Sequence, residues 1–242
     1  MTKRVIDVPW SATQAIGVFV ASWIGMPLLV VGLLKALSPL TPQAQVILNR
    51  LANNDVTASF ILVALDALVG LWLVKRILDR YHVGWREVGL RSVNIGKAVV
   101  FVVAALLSFL VLVAGAFALL QVLFPHFNSG QAQVNQFTQP HNAQSLRLSF
   151  LALVVIPPFI EETVFRGFIF PALTKRLGLI GGAVVTSVLF AVAHWQLNVS
   201  IYTLILSLLL CFMYYKLRSI WPGIVLHMLN NYIAFAAIIH SK

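Results

Sequence analysis

Apolar residues run along this chain in long unbroken stretches. They do not alternate with polar ones as in a half-buried strand, and they do not form the one-sided stripe of a soluble surface helix. A helix crosses the hydrocarbon core of a bilayer with about 20 mostly apolar residues at about 1.5 Å each. Seven stretches meet that requirement: 14–34, 57–74, 98–120, 148–172, 179–195, 199–215 and 220–239. The third carries no charge from Ala98 to Leu120. The fifth and sixth are short and meet at a turn around Gln196, Leu197 and Asn198, so six or eight spans are the alternatives. Two longer polar connections stand out. Residues 36–56 contain Ser38-Pro39, Thr41-Pro42 and Asn53-Asn54-Asp55, with room for a short interfacial helix. Residues 125–147 contain Pro125, Asn128-Ser129-Gly130 and Pro140. Both read as loops. The expected fold is all-α, a polytopic transmembrane helix bundle forming one domain over residues 1–242.

Composition agrees with a lipid environment. The 242 residues are 60% hydrophobic and 10% charged, against about 25% charged in an ordinary soluble domain. The formal net charge is +10, but the basic residues stand at the ends of apolar stretches. That placement points to membrane topology and anionic headgroups, and no nucleic-acid partner is expected. Lys3 and Arg4 precede the first stretch; Lys75, Arg76, Arg80, Arg86, Arg91 and Lys97 fill the second connection; Lys175 and Arg176 follow span four; Lys216 and Arg218 follow span six. The alternate connections hold only Lys35, Arg50 and Arg147. Cytoplasmic loops carry the Lys/Arg excess, so the N-terminus is expected inside. Trp195 and Trp221 fall at span ends, where indoles settle. Lys3 and Arg4 resemble the start of a signal peptide, but no small-residue cleavage site follows, so the stretch is kept as a span. The single cysteine, Cys211, excludes an internal disulfide and a Cys-rich metal site.

The ionisable residues inside the stretches are few. Such groups are costly in a membrane and mark function. Span four reads Pro157-Pro158-Phe159-Ile160-Glu161-Glu162-Thr163-Val164-Phe165-Arg166. The prolines break or kink the helix just before the carboxylates. Glu162 and Arg166 are four apart on one helical face, the favourable order for an ion pair. Glu161 points about 100° away and has no local partner, which leaves it available as a general base. Both glutamates serving only a packing network is the alternative. His194 follows Phe190 by four residues at the end of span five, and taken alone it also fits an interfacial histidine beside Trp195. His227 and Asn231, four apart in span seven, alone fit equally a hydrogen-bonded pair gluing helices. Counted from the expected cytoplasmic end, Glu161 and His194 lie about 20–25 Å deep, Asn231 about 18 Å and His227 about 12 Å. Those depths allow one cluster from three helices. Asp66, in span two, has no motif around it and is kept outside the site. His82, His126, His141 and His240 lie in loops or at the end.

Glu161-Glu162 with Arg166, then Phe190 with His194, then His227 with Asn231 resemble the three ordered motifs of the CPBP family. These are the CAAX prenyl proteases and bacteriocin-processing proteins, also called Abi. The likeness covers about residues 148–235, with the catalytic helices expected over 148–239. It implies that Glu161 activates a water that His194 helps hold, that His227 and Asn231 stabilise an oxyanion, and that Glu162, Arg166 and Phe190 support the site. No cofactor is favoured; zinc on Glu161, His194 and His227 is the alternative, although no His-Glu-x-x-His motif is present. The expected function is an intramembrane endopeptidase acting on a membrane-embedded or lipidated peptide, in a bacterial plasma membrane. A non-proteolytic bacteriocin-immunity or scaffold protein and a proton-coupled transporter are the other readings.

Overall fold

The computed structural model describes residues 7–53, 55–126, 142–194 and 197–240. The described residues are helical with no strand, and the fold is a helical transmembrane bundle. The first helical run, α1, is Ala12–Leu37. Ser11 caps it reciprocally with Gln14. A short helix α2, Pro42–Ala52, fills the 36–56 connection. Next come α3, Val56–Arg80, and α4, Ile95–Leu123, each started by a side-chain cap, Asp55 and Asn94 respectively. The caps answer the unpaired N–H groups that every helix start exposes.

The run Ala143–Val192 is 50 residues long, far more than one crossing needs. It breaks at Gly178, which has φ 75° and ψ 172°, a region open essentially to glycine alone. A Cβ on Gly182 would lie 2.7 Å from the Thr174 Cα and 2.7 Å from its backbone nitrogen. Residues eight apart in one straight helix would stand about 12 Å apart, so the chain doubles back here. We number 143–177 as α5 and 179–192 as α6. They correspond to the fourth and fifth expected spans. Helix α7 is Leu197–Leu217 and α8 is Trp221–His240.

Among the described residues, five helical runs are long and apolar enough to cross a membrane, counting α5 and α6 as one. The expected 125–147 loop lies mostly outside the described residues, as do Lys3, Arg4, His141, Trp195 and Gln196.

Helix α5 is the centre. About half of its most apolar window is buried, against 11% for α3 and 17% for α4. The surplus exposed apolar surface, such as Val99, Val103, Leu107 and Val111 on α4, faces outward and suits acyl chains. Helix α3 packs along α5 from residue 143 to 169, α8 packs on its 151–161 part, and α7 lies along Phe170–Val192. At one end the chain folds in upon the bundle. Trp10 is buried, donates from Nε1 to the Phe168 carbonyl at 2.9 Å and stacks on the Phe168 ring. Val88 is also buried, with its carbonyl so close to Gly167 that a side chain there would collide.

Candidate active site

The glutamates sit where α5 departs from regular helix. Pro157 and Pro158 have no N–H to give, so the carbonyls four residues earlier lose their helical donors. The chain responds with a π-helical stretch at Leu151–Val155 before the prolines and a second at Glu162–Ile169 after them. Such wide turns recur at functional sites. Leu153, four before Pro157, receives its hydrogen bond from another helix: Asn231 Nδ2 of α8 donates to the Leu153 carbonyl at 2.8 Å. The proline break thus creates an orphan acceptor, and α8 supplies the donor.

The expected ion pair is present and completely enclosed. Arg166 donates from Nη1 to Glu162 Oε1 at 2.8 Å, with side-chain exposures of 0% and 1%. Burial of both charges is tolerable only because they are paired. Phe190 lies beneath them, its ring centroid 4.3 Å from the Arg166 guanidinium carbon. The same ring meets His194 edge-on at 4.9 Å and His227 at 5.8 Å. Phe190 is therefore the apolar floor on which the cation and both imidazoles rest.

His227 stands between the two carboxylates. Its Nδ1 is 3.1 Å from Glu162 Oε1 and its Nε2 is 3.7 Å from Glu161 Oε2. Glu162 is ionised against Arg166 and can only accept, so the proton of His227 resides on Nδ1. His194 Nδ1 lies 2.8 Å from the Phe190 carbonyl and donates to it. His194 also interacts electrostatically with Glu161, His227 and Arg166. Gly223 on α8 is required for this closeness, since a Cβ there would lie 2.8 Å from Glu162 Oε2.

The structure thus brings Glu161, Glu162, Arg166, Phe190, His194 and His227 together. It places Asn231 one turn beyond His227, with one amide hydrogen committed to Leu153. Asn230 donates to Asn231 Oδ1 and accepts from the Tyr202 hydroxyl of α7. Three features escape a reading of the sequence. Glu162 serves His227 as well as Arg166. Tyr202 and Asn230 brace α8, a link between helices with no local signal. Asp66 has an enclosed Oδ1 with no hydrogen-bond partner among the described residues, although nothing adjacent to it in the chain foretells this. Among the described residues no three His, Cys, Asp or Glu side chains converge as a metal-holding group.

Comparison with known proteins falls on the same helices. Residues 143–233 match the family model of the type II CAAX prenyl endopeptidase Rce1-like proteins. Over 88 residues the chain is 26% identical to a Bacillus subtilis (strain 168) protein named "Putative membrane peptidase YdiL". That alignment covers 36% of this chain and 36% of the relative, so the chain matches about a third of that relative's length. No solved structure matches. The segment 143–233, which holds all three motifs and the buried Glu162–Arg166–His227 cluster, is thus similar to the type II CAAX prenyl endopeptidase Rce1-like proteins.

Proposed function

We propose that this protein is an intramembrane endopeptidase that hydrolyses a peptide bond of a membrane-embedded or lipid-anchored peptide, using a glutamate-activated water and no metal. The observation that carries this reading is His227 held at 3.1 Å and 3.7 Å between adjacent carboxylates inside an apolar bundle. Peptide hydrolysis needs a base, a water and a donor where negative charge develops. Glu161 is the carboxylate without an ion-pair partner in α5, and its side chain keeps 15% exposure while that of Glu162 keeps 1%. It removes a proton from water as the oxygen bonds to the scissile carbonyl carbon. It returns that proton to the leaving amine when the carbon–nitrogen bond breaks.

His227 and Asn231 stabilise the oxyanion, and His194 helps hold the water. The hydrogen bond to Glu162 sets a condition on His227. With Nδ1–H already donated, Nε2 donates to an oxyanion only when the ring carries a second proton. Asn231 offers the amide hydrogen that Leu153 does not use.

The test is cleavage of a fluorogenic peptide library in liposomes, half its members bearing a C-terminal farnesylcysteine motif, half unprenylated. Wild-type protein should cut members of it after prolonged chelation, and Glu161→Gln should cut none. A Glu161→Gln variant as active as wild type would refute the base assignment. Stoichiometric zinc, lost with activity in both His194→Ala and His227→Ala, would refute the metal-free form.

A further inference from the structure

Asp66 is a half-buried carboxylate that the chemistry above leaves without a task. It stands alone among the acidic residues between Val56 and Val74 of α3. Its Oδ1 is enclosed and has no hydrogen-bond partner among the described residues. One turn further along α3, a Cβ on Gly70 would lie 3.9 Å from Val164 Cγ2 and 3.4 Å from Ser22 Oγ. Helix α3 therefore runs directly against the glutamate-bearing part of α5. One turn before Val164 on α5 come Ile160 and Glu161, as Asp66 comes one turn before Gly70 on α3, so the two carboxylates lie near one level of the bundle.

An enclosed carboxylate oxygen without a partner is rare, because its desolvation goes uncompensated. Ordered water is the usual partner in such places. Two hydroxyls on helices that pack against α3, Ser22 Oγ and Ser149 Oγ, are likewise enclosed and unpartnered. A purely structural Asp66 would tie α3 to a donor, and no described donor reaches Oδ1.

We infer that Asp66 is a positioning residue that holds the hydrolytic water against Glu161. This rests on Glu161 as the base. Water has two hydrogens. Glu161 accepts the one it removes, and Asp66 Oδ1 accepts the other, which turns the oxygen lone pair toward the scissile carbonyl. In the reaction the O–H bond facing Glu161 breaks and the oxygen bonds to the carbonyl carbon. The hydrogen facing Asp66 stays on the new hydroxyl. Asp66 thus gains and loses nothing, and its contribution is orientation.

Three variants and one structure test this. The substrate is the library peptide that wild-type protein cuts fastest. Asp66→Leu removes the acceptor and should lower kcat on the order of 10²-fold with little change in KM, the scale of a misplaced reacting group. Asp66→Asn keeps an oxygen acceptor and should restore most of the loss. Equal losses in both variants, or losses that follow the fall in melting temperature, would overturn the inference. Wild-type kcat in Asp66→Leu beside an inactive Glu161→Gln would overturn it while leaving the base assignment intact. An active Glu161→Gln would remove both. Independently of any substrate, a high-resolution crystal structure of the wild-type protein should show a water bridging Asp66 Oδ1 and Glu161. A side-chain donor bonded to Oδ1 in its place would refute the proposal even if Asp66→Leu fails to fold.

Discussion

Arg166 has no exposed surface, yet it carries a full charge inside a bundle whose neighbours are mostly apolar. Its stability depends on Glu162 and on the Phe190 ring, and each partner loses something different when removed. Glu162→Gln leaves the guanidinium buried without its counter-charge, which costs roughly 3–5 kcal/mol. Glu161→Gln strands no cation. A melting curve in detergent should therefore show a large drop for Glu162→Gln and a small one for Glu161→Gln, although the proposed base is Glu161. Equal melting temperatures would mean that the ion pair is not a structural element. Asn231 separates differently. Because one of its amide hydrogens satisfies the Leu153 carbonyl, Asn231→Ala should lower stability by about 1–3 kcal/mol for the acceptor left unpaired. Any loss of an oxyanion donor would come in addition, so kinetics and melting must be measured on the same preparation.

At the scale of elements, the prolines and one glycine decide what each helix can do. Pro157 and Pro158 open the α5 ladder so that a side chain from α8 is drawn in, and the π-helical turn that follows carries Glu162 and Arg166. Gly178 ends α5 in a backbone region that side chains avoid, and Gly182 lets α6 return against Thr174 without collision. Gly178→Ala should therefore cost on the order of 1–3 kcal/mol from backbone strain alone. Gly182→Leu should be more damaging, since backbone atoms of Thr174 occupy the space. Thermal unfolding of the two variants measures this order. A Gly178→Ala protein as stable as wild type would show that the turn does not need the left-handed conformation. Phe190 is the corresponding element for α6. Its ring contacts Arg166, His194 and His227 together, which explains why one aromatic residue accompanies the histidine one turn later.

For the whole molecule, the most buried helix holds the polar cluster, and the least buried ones present apolar surface outward. This is the arrangement expected when lipid is the solvent, since ionisable groups must face the bundle interior. At one end, the buried Trp10 and Val88 close over residues 167 and 168 of α5. That end carries the basic connection between Lys75 and Lys97, so we propose that it is cytoplasmic, with the 125–147 connection on the opposite side. The native protein suits the measurement. Cys211 is fully buried and should react little with polar maleimides. Single cysteines introduced at Arg76 or Arg86 should be protected in intact cells and labelled after permeabilisation, with the reverse for a cysteine at Gln144. Preferential outside labelling of the 75–97 connection would invert the topology.

The sequence alone determined that the chain is a helical membrane protein, because span length and apolar content follow directly from bilayer thickness. It also determined that the three motifs would be exceptional, because charge and imidazole inside apolar stretches are costly wherever the helices lie. The Glu162–Arg166 pair was legible for the same local reason, being one helical turn apart. Tertiary structure decided the rest. Counting rise per residue put His227 well short of the glutamates in depth, yet it touches both, since tilted helices and proline-opened turns shift depth by more than that count resolves. Which nitrogen of His227 carries the proton and which carbonyl takes Asn231 both depend on contacts between helices distant in the chain. No periodicity within one helix encodes the rotation of its neighbour, so these relations exist only once the helices are packed.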